Sequence, residues 1–79
     1  MQPFDRELFR RRMNERRKQL GITYRQLQEM TGISIVTLNG YLLGRTLPNL
    51  EFAFLIAQAL GVSVDWLCGM DKLKGGRKK

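Results

Sequence analysis

The chain contains no histidine, a single cysteine at Cys68, and fourteen lysines and arginines against seven acids, a formal net charge of +7. Acid–base or nucleophilic catalysis needs a titratable group poised near neutrality and a partner to orient it. Here there is no imidazole, no convincing carboxylate pair and no phosphate-binding glycine loop, so an enzyme is not expected. A lone thiol cannot close an internal disulfide, and without histidine no zinc cluster can form, so no metal or cofactor is expected either. The chemistry left to the cations is attraction of an anionic partner, either nucleic acid or a membrane surface. They are unevenly placed. Residues 1–19 hold seven cations against Asp5, Glu7 and Glu15, and residues 71–79 hold five against Asp71. Between them Arg25 and Arg45 face Glu29, Glu51 and Asp65, so the middle of the chain nets −1. Within that middle, G-I-S-I-V-T-L-N-G-Y-L-L-G from Gly32 to Gly44 has no charge at all, and Asn39 is its one side chain able to make a bidentate contact to a base.

Those residues must be carried by elements, and the chain repeats one pattern for starting them. Phe4-Asp5 with Phe9, Ile22-Thr23 with Leu27, Ile33-Ser34 with Leu38, and Val62-Ser63 with Leu67 each set a capping residue between two apolar residues at hydrophobic-staple spacing. Thr23 with Gln26 completes a capping box, and Pro48-Asn49 opens the one segment without a staple. Stops follow at Gly21, Gly32, Gly44, Gly61 and Gly69. The pattern predicts helices over 6–20, 24–31, 35–43, 50–60 and 64–68 and no strand, an all-α chain. Seventy-nine residues allow one domain, expected over 1–70, with K-L-K-G-G-R-K-K falling in a basic, disordered tail over 71–79. The longest apolar run, Phe52 to Ala57, is too short to span a bilayer and the N-terminus lacks a signal-peptide core. A soluble, cytoplasmic protein with no membrane partner is therefore expected.

Helix 24–31, Gly32 and helix 35–43 form two short helices joined by a three-residue turn containing glycine, the spacing of a helix-turn-helix. Any small bundle can contain such a hairpin. The runs R-R-K-Q-L-G-I-T, T-G-I-S, G-R-T-L-P-N-L and above all I-A-Q-A-L-G-V-S-V-D-W-L-C-G are more specific: over about residues 9–70 the chain resembles the Cro and phage-repressor type helix-turn-helix family. The resemblance implies a five-helix lambda-repressor-like domain that binds double-stranded DNA as a homodimer on a near-palindromic operator, with repression the default effect. It makes 35–43 the recognition helix and places Ile35, Val36, Asn39 and Gly40 at base-reading positions. It also places Thr23, Tyr24, Ser34, Thr37, Arg45 and Thr46 beside phosphates, where helix N-termini attract anions.

This sequence departs from the family pattern at several of those positions. Ile35, Val36 and Gly40 stand where polar readers are common, so Asn39 is left to contact adenine while Ile35 and Val36 meet thymine methyls. Tyr24 replaces a frequent glutamine and Gln28 a preferred alanine. Arg17 stands where the pattern often pairs an arginine with a glutamate, and the matching position is Leu42, so its guanidinium must turn outward or find carbonyl partners. On a helical wheel Leu38, Tyr41 and Leu42 share one face, with Ile35, Val36, Asn39, Gly40 and Leu43 on the other, and only one apolar face can be explained by a core. The second face has two readings: it reads DNA in the major groove, or it is an apolar patch that docks a protein partner.

The remaining residues have simpler expectations. Phe9, Met13 and Leu20 form the buried stripe of the first helix. Arg6, Arg10, Arg11, Arg12, Arg16 and Arg17 spread around it as a solvated face, with a membrane-surface helix as the lesser alternative. Cys68 is a small packing residue. The segment from Asn49 to Gly61 is apolar on nearly every side, so Phe52, Phe54 and Trp66 are expected at a dimer contact. No effector domain is expected, so regulation is expected through concentration, dimerisation or a partner.

Overall fold

The computed structural model describes residues 3–72. Its element order is α1 (Arg6–Leu20), α2 (Tyr24–Thr31), α3 (Ile35–Leu42), α4 (Leu50–Leu60) and α5 (Val64–Cys68), followed by a 3₁₀ turn over Met70–Lys72. Five α-helices and no strand are present among the described residues. The rest of the basic tail, residues 73–79, lies outside them.

Each helix begins where its capping residue stands. Asp5, Thr23, Ser34, Asn49 and Ser63 all have extended backbones, and each side-chain oxygen accepts from the third helical amide, at 2.8 Å for Asn49 and 3.2 Å for Ser34. Such caps contribute about 1 kcal/mol each. Thr23 has the full box, its own N–H donating to Gln26 Oε1 at 2.9 Å. The first staple closes with the Phe4 and Phe9 rings 6.2 Å apart. α3 ends one residue before the expected boundary, because Leu43 already has the cap conformation (φ −93°, ψ −3°) and Gly44 behind it turns left-handed at φ 78°. Gly69 is the most crowded of the stops. Its φ is 82°, and a Cβ there would meet Leu8 Cδ2 at 2.7 Å.

One core joins all five helices: Phe9 and Met13 of α1, Leu27 of α2, Leu38, Tyr41 and Leu42 of α3, Ile56, Ala57 and Leu60 of α4, and Leu67 of α5, with Ile33 from the turn. α1 packs on α3, α4 and α5, while α2 packs on α3 and α4. The expected stripe of α1 needs correction. Leu8 is buried, whereas Leu20 is 43% exposed. Its wheel angle is right, but it sits on the last turn beside Gly21, where the chain turns away from the core.

The arginines of α1 require a larger correction, because a good part of that face is not solvated. Arg12 donates to the Trp66 carbonyl and to Asp71 Oδ1 at 2.7 Å, and its guanidinium lies 4.7 Å over the Trp66 ring. Arg16 Nε donates to the Leu60 carbonyl at 2.8 Å, and Arg17 Nη1 to the Ile22 carbonyl at 2.8 Å. Asn14 Nδ2 reaches the Leu42 carbonyl at 2.9 Å. Four side chains of one helix thus hold carbonyls at the ends of α3, α4 and α5, where a helix runs out of its own donors, and in the turn before α2. Of the others, Arg10 pairs with Glu7, and Arg11 approaches Glu15 at 4.0 Å on the exposed surface. No helix among the described residues is long and apolar enough to cross a membrane.

Two measurements follow from this packing. Arg12→Met keeps the stem but loses a largely buried charged hydrogen bond, so its urea midpoint should report a loss of about 1–3 kcal/mol; Arg11→Met should stay within about 0.5 kcal/mol. Burial, with Asp65 adding to it, pushes the Cys68 thiol above its ordinary pKa, so the neutral thiol persists to higher pH. The pH profile of Cys68 alkylation should therefore lie to the alkaline side of free cysteine and return to it in denaturant.

Candidate nucleic-acid interface

The turn between α2 and α3 is fixed by polar groups that bond to one another. Thr31 is buried, and its hydroxyl donates to the Leu27 carbonyl at 2.7 Å and accepts from the Ile33 amide at 3.1 Å. Ile33, 2% exposed, plugs the turn into the core. Gln28 Oε1 then reaches across it to accept from the Ile35 amide at 2.7 Å. Where an alanine would only let the helices approach, this glutamine ties them together, and α2 and α3 form one unit. Sequence reasoning missed the role because Gln28 was compared with a smaller residue and not with the unpaired amides seven positions on.

The two faces of α3 separate as the wheel requires. Leu38, Tyr41 and Leu42 are buried, while Val36 is 79% and Leu43 50% exposed. Ile35, Asn39 and Gly40 lie on the same outer side, partly covered. Gly40 has a packing reason. The amides of Arg45 and Thr46 donate to its carbonyl at 2.8 and 3.4 Å, and a Cβ on Gly40 would stand 3.1 Å from Thr46 Oγ1. The glycine lets the loop after α3 fold back onto the helix, which brings the exposed Arg45 and Thr46 beside the outer face.

The polar groups at the start of α3 are largely engaged within the protein. Ser34 Oγ accepts from the Thr37 amide at 3.2 Å and donates to Thr37 Oγ1 at 3.0 Å, and the Leu38 amide donates to the Ser34 carbonyl. With the Ile35 N–H on Gln28, the Thr37 hydroxyl, which accepts from Ser34, still has its own hydrogen to donate. At the start of α2, Thr23 is exposed and Tyr24 half-buried, with the Arg17 guanidinium 4.7 Å over its ring. Arg17 therefore has the carbonyl partner that its lack of a glutamate called for, and its Nε is buried without one. The cation also adds to the positive end of the α2 dipole, where an anion is favoured.

Of the aromatic residues on the second half of the chain, Phe54 is 52% exposed, with Leu50 one turn before it at 77%. Phe52 and Trp66 are half-buried and pack against the core, Trp66 under Arg12. Among the described residues no group of three or more His, Cys, Asp or Glu residues is placed to hold a metal.

Residues 13–67, which span everything from the middle of α1 to the buried leucine of α5, match a family described as helix-turn-helix. The chain is also 40% identical over 60 residues to an uncharacterized HTH-type transcriptional regulator of Haemophilus influenzae, covering 76% of this chain and 59% of that one. It is 38% identical over 58 residues to the cryptic phage CTXphi transcriptional repressor RstR of Vibrio cholerae, covering 73% and 52% respectively. The chain thus spans little more than half the length of the curated relatives it matches. The matched region contains the whole α2–turn–α3 unit, all of the core but Phe9, and Asn14 and Arg17 of α1 that hold the unit, and on that ground the chain belongs to the helix-turn-helix family.

Proposed function

We propose that this chain is a transcriptional regulator that binds duplex DNA sequence-specifically, acting in the cytoplasm as a repressor and as a homodimer on a near-palindromic operator. The observation that carries the reading is the outer face of α3. It is the second helix of a helix-turn-helix, it is uncharged and exposed at Val36 and Leu43, and Arg45 stands beside it in the folded-back loop. A major groove admits such a helix, with phosphates on either side for Arg45, Thr46 and the amide ends of α2 and α3. Relatives named as an HTH-type transcriptional regulator and a transcriptional repressor support the same office here. In this reading Asn39 bonds adenine, Ile35 and Val36 meet thymine methyls, and Gly40 brings the loop close without reading a base itself. Thr23, Tyr24, Ser34 and Thr37 serve phosphates.

The apolar character of the same face favours one rival: a helix-turn-helix that docks a protein through α3. Substitutions separate the two. If α3 reads DNA, Asn39→Ala costs about 1–3 kcal/mol at one base pair in a selected site and leaves binding to unrelated duplexes nearly intact. Ile35→Ala and Val36→Ala lose less, and replacing thymine by uracil in the site mimics them. If α3 docks protein, the apolar truncations abolish the complex, Asn39→Ala matters little and uracil has no effect. Electrophoretic titration of a site selected from random duplexes measures all of these.

For the dimer, the exposed Leu50 and Phe54 of α4 are the leading contact, with Phe52 and Trp66 as its border. Sedimentation at micromolar concentration should find a dimer, and Phe54→Glu should dissociate it. Half-sites should then lie about 34 Å apart, one helical turn of DNA. A wild-type monomer persisting at millimolar concentration contradicts this arrangement.

A further inference from the structure

Resting on the DNA reading above, we propose that α3 senses the C5 methyl group of pyrimidines, so that 5-methylcytosine as well as thymine is a ligand of this face. Three observations lead to it. The acceptors at the start of α3 are closed off inside the protein, Gln28 Oε1 by the Ile35 amide and Ser34 Oγ by the Thr37 amide. The side chain standing farthest out on the first turn is then Val36, 79% exposed and apolar, with Ile35 half-buried at its side. The third observation concerns Gly40, one turn further along the helix. It presents no side chain, and a Cβ there would stand 3.1 Å from Thr46 Oγ1, so a reader added at that position would have to push the Thr46 side chain aside.

At the position of Val36 such a helix cannot distinguish bases by hydrogen bonds, because an isopropyl group neither donates nor accepts. In the major groove the complement of an isopropyl group is a methyl, and among unmodified bases only thymine has one. 5-Methylcytosine carries its methyl on the same ring carbon, pointing into the same groove. The occupant is DNA and not an apolar peptide because of what surrounds the face: Arg45, exposed and without an ion-pair partner among the described residues, is held against α3 through its amide on the Gly40 carbonyl at 2.8 Å. A cation fixed beside an apolar strip matches a methyl-lined groove edged by phosphates.

The test uses the full chain and two random duplex libraries, one with ordinary cytosine and one with 5-methylcytosine throughout. Sites selected from the methylated library should accept cytosine where those from the ordinary library demand thymine. On one selected duplex with a single such thymine replaced by cytosine, C5 methylation should raise affinity about fourfold, the worth of one buried methyl. The ratio of methylated to unmethylated affinity, read within each protein, should fall to about one in Val36→Ala. Val36 is exposed enough that this change does not threaten the fold. Equal or weaker binding of the methylated duplex, with sites otherwise selected normally, overturns the methyl proposal and leaves the DNA reading standing. Failure to select any site from either library, with no binding to duplex at low salt, overturns both.

Discussion

Every α-helix ends in carbonyls that its own ladder cannot reach; here backbone amides of the capping turns take many of them, and side chains of α1 reach one in each of α3, α4 and α5. Asn14 holds Leu42 at the end of α3, Arg16 holds Leu60 at the end of α4, and Arg12 holds Trp66 in α5. Arg17 does the same for Ile22, in the turn that leads to α2. A domain of this size buries only about 60% of its chain surface, so hydrophobic burial alone leaves little margin and does not fix how helices are clocked about their axes. Directional bonds from one helix to the ends of its neighbours do fix it. The outward aim of α3 depends on them.

That arrangement also changes how the charge should be understood. A count of +7 suggests a strongly adhesive cation, yet three arginines of α1 are engaged with carbonyls and Arg10 with Glu7. The Glu7 carboxyl is held below its ordinary pKa chiefly by its hydrogen bond to Arg10. Such an exposed pair contributes little to stability. What remains for a partner at the helix-turn-helix itself is Arg25 and Arg45, both exposed, with the amide ends of α2 and α3.

The residues whose effect is local were legible in advance. Each cap lies within three residues of the amide it serves, each staple spans five, and the split of α3 into Leu38, Tyr41 and Leu42 against Val36 and Leu43 is a property of one helical wheel. What escaped were bonds between distant segments. Arg12 and Trp66 are 54 positions apart and Asn14 and Leu42 are 28 apart, so composition shows only an arginine-rich helix where the fold has side chains that donate to distant carbonyls. Gln28 is an intermediate case, seven residues from its partner, visible only once the turn has folded the two helices together. Leu20 failed for another reason: a wheel gives direction but not depth, and a last-turn residue can point at the core axis from beyond its edge.

The anchor from Asn14 to α3 ends on a backbone oxygen. A carbonyl is the same whatever side chain its residue carries, so the frame grips α3 without consulting most of its sequence. Were the link a salt bridge to the side chain at position 42, that position would be bound to its partner and every change would disturb both. As built, the outer positions of α3 can exchange valine for a polar residue, or leucine for a cation, while Leu38, Tyr41 and Leu42 keep to the core and the helix stays seated. The scaffold separates what holds the reader from what is read, so a new binding preference is reachable by single substitutions that leave the fold's stability almost untouched.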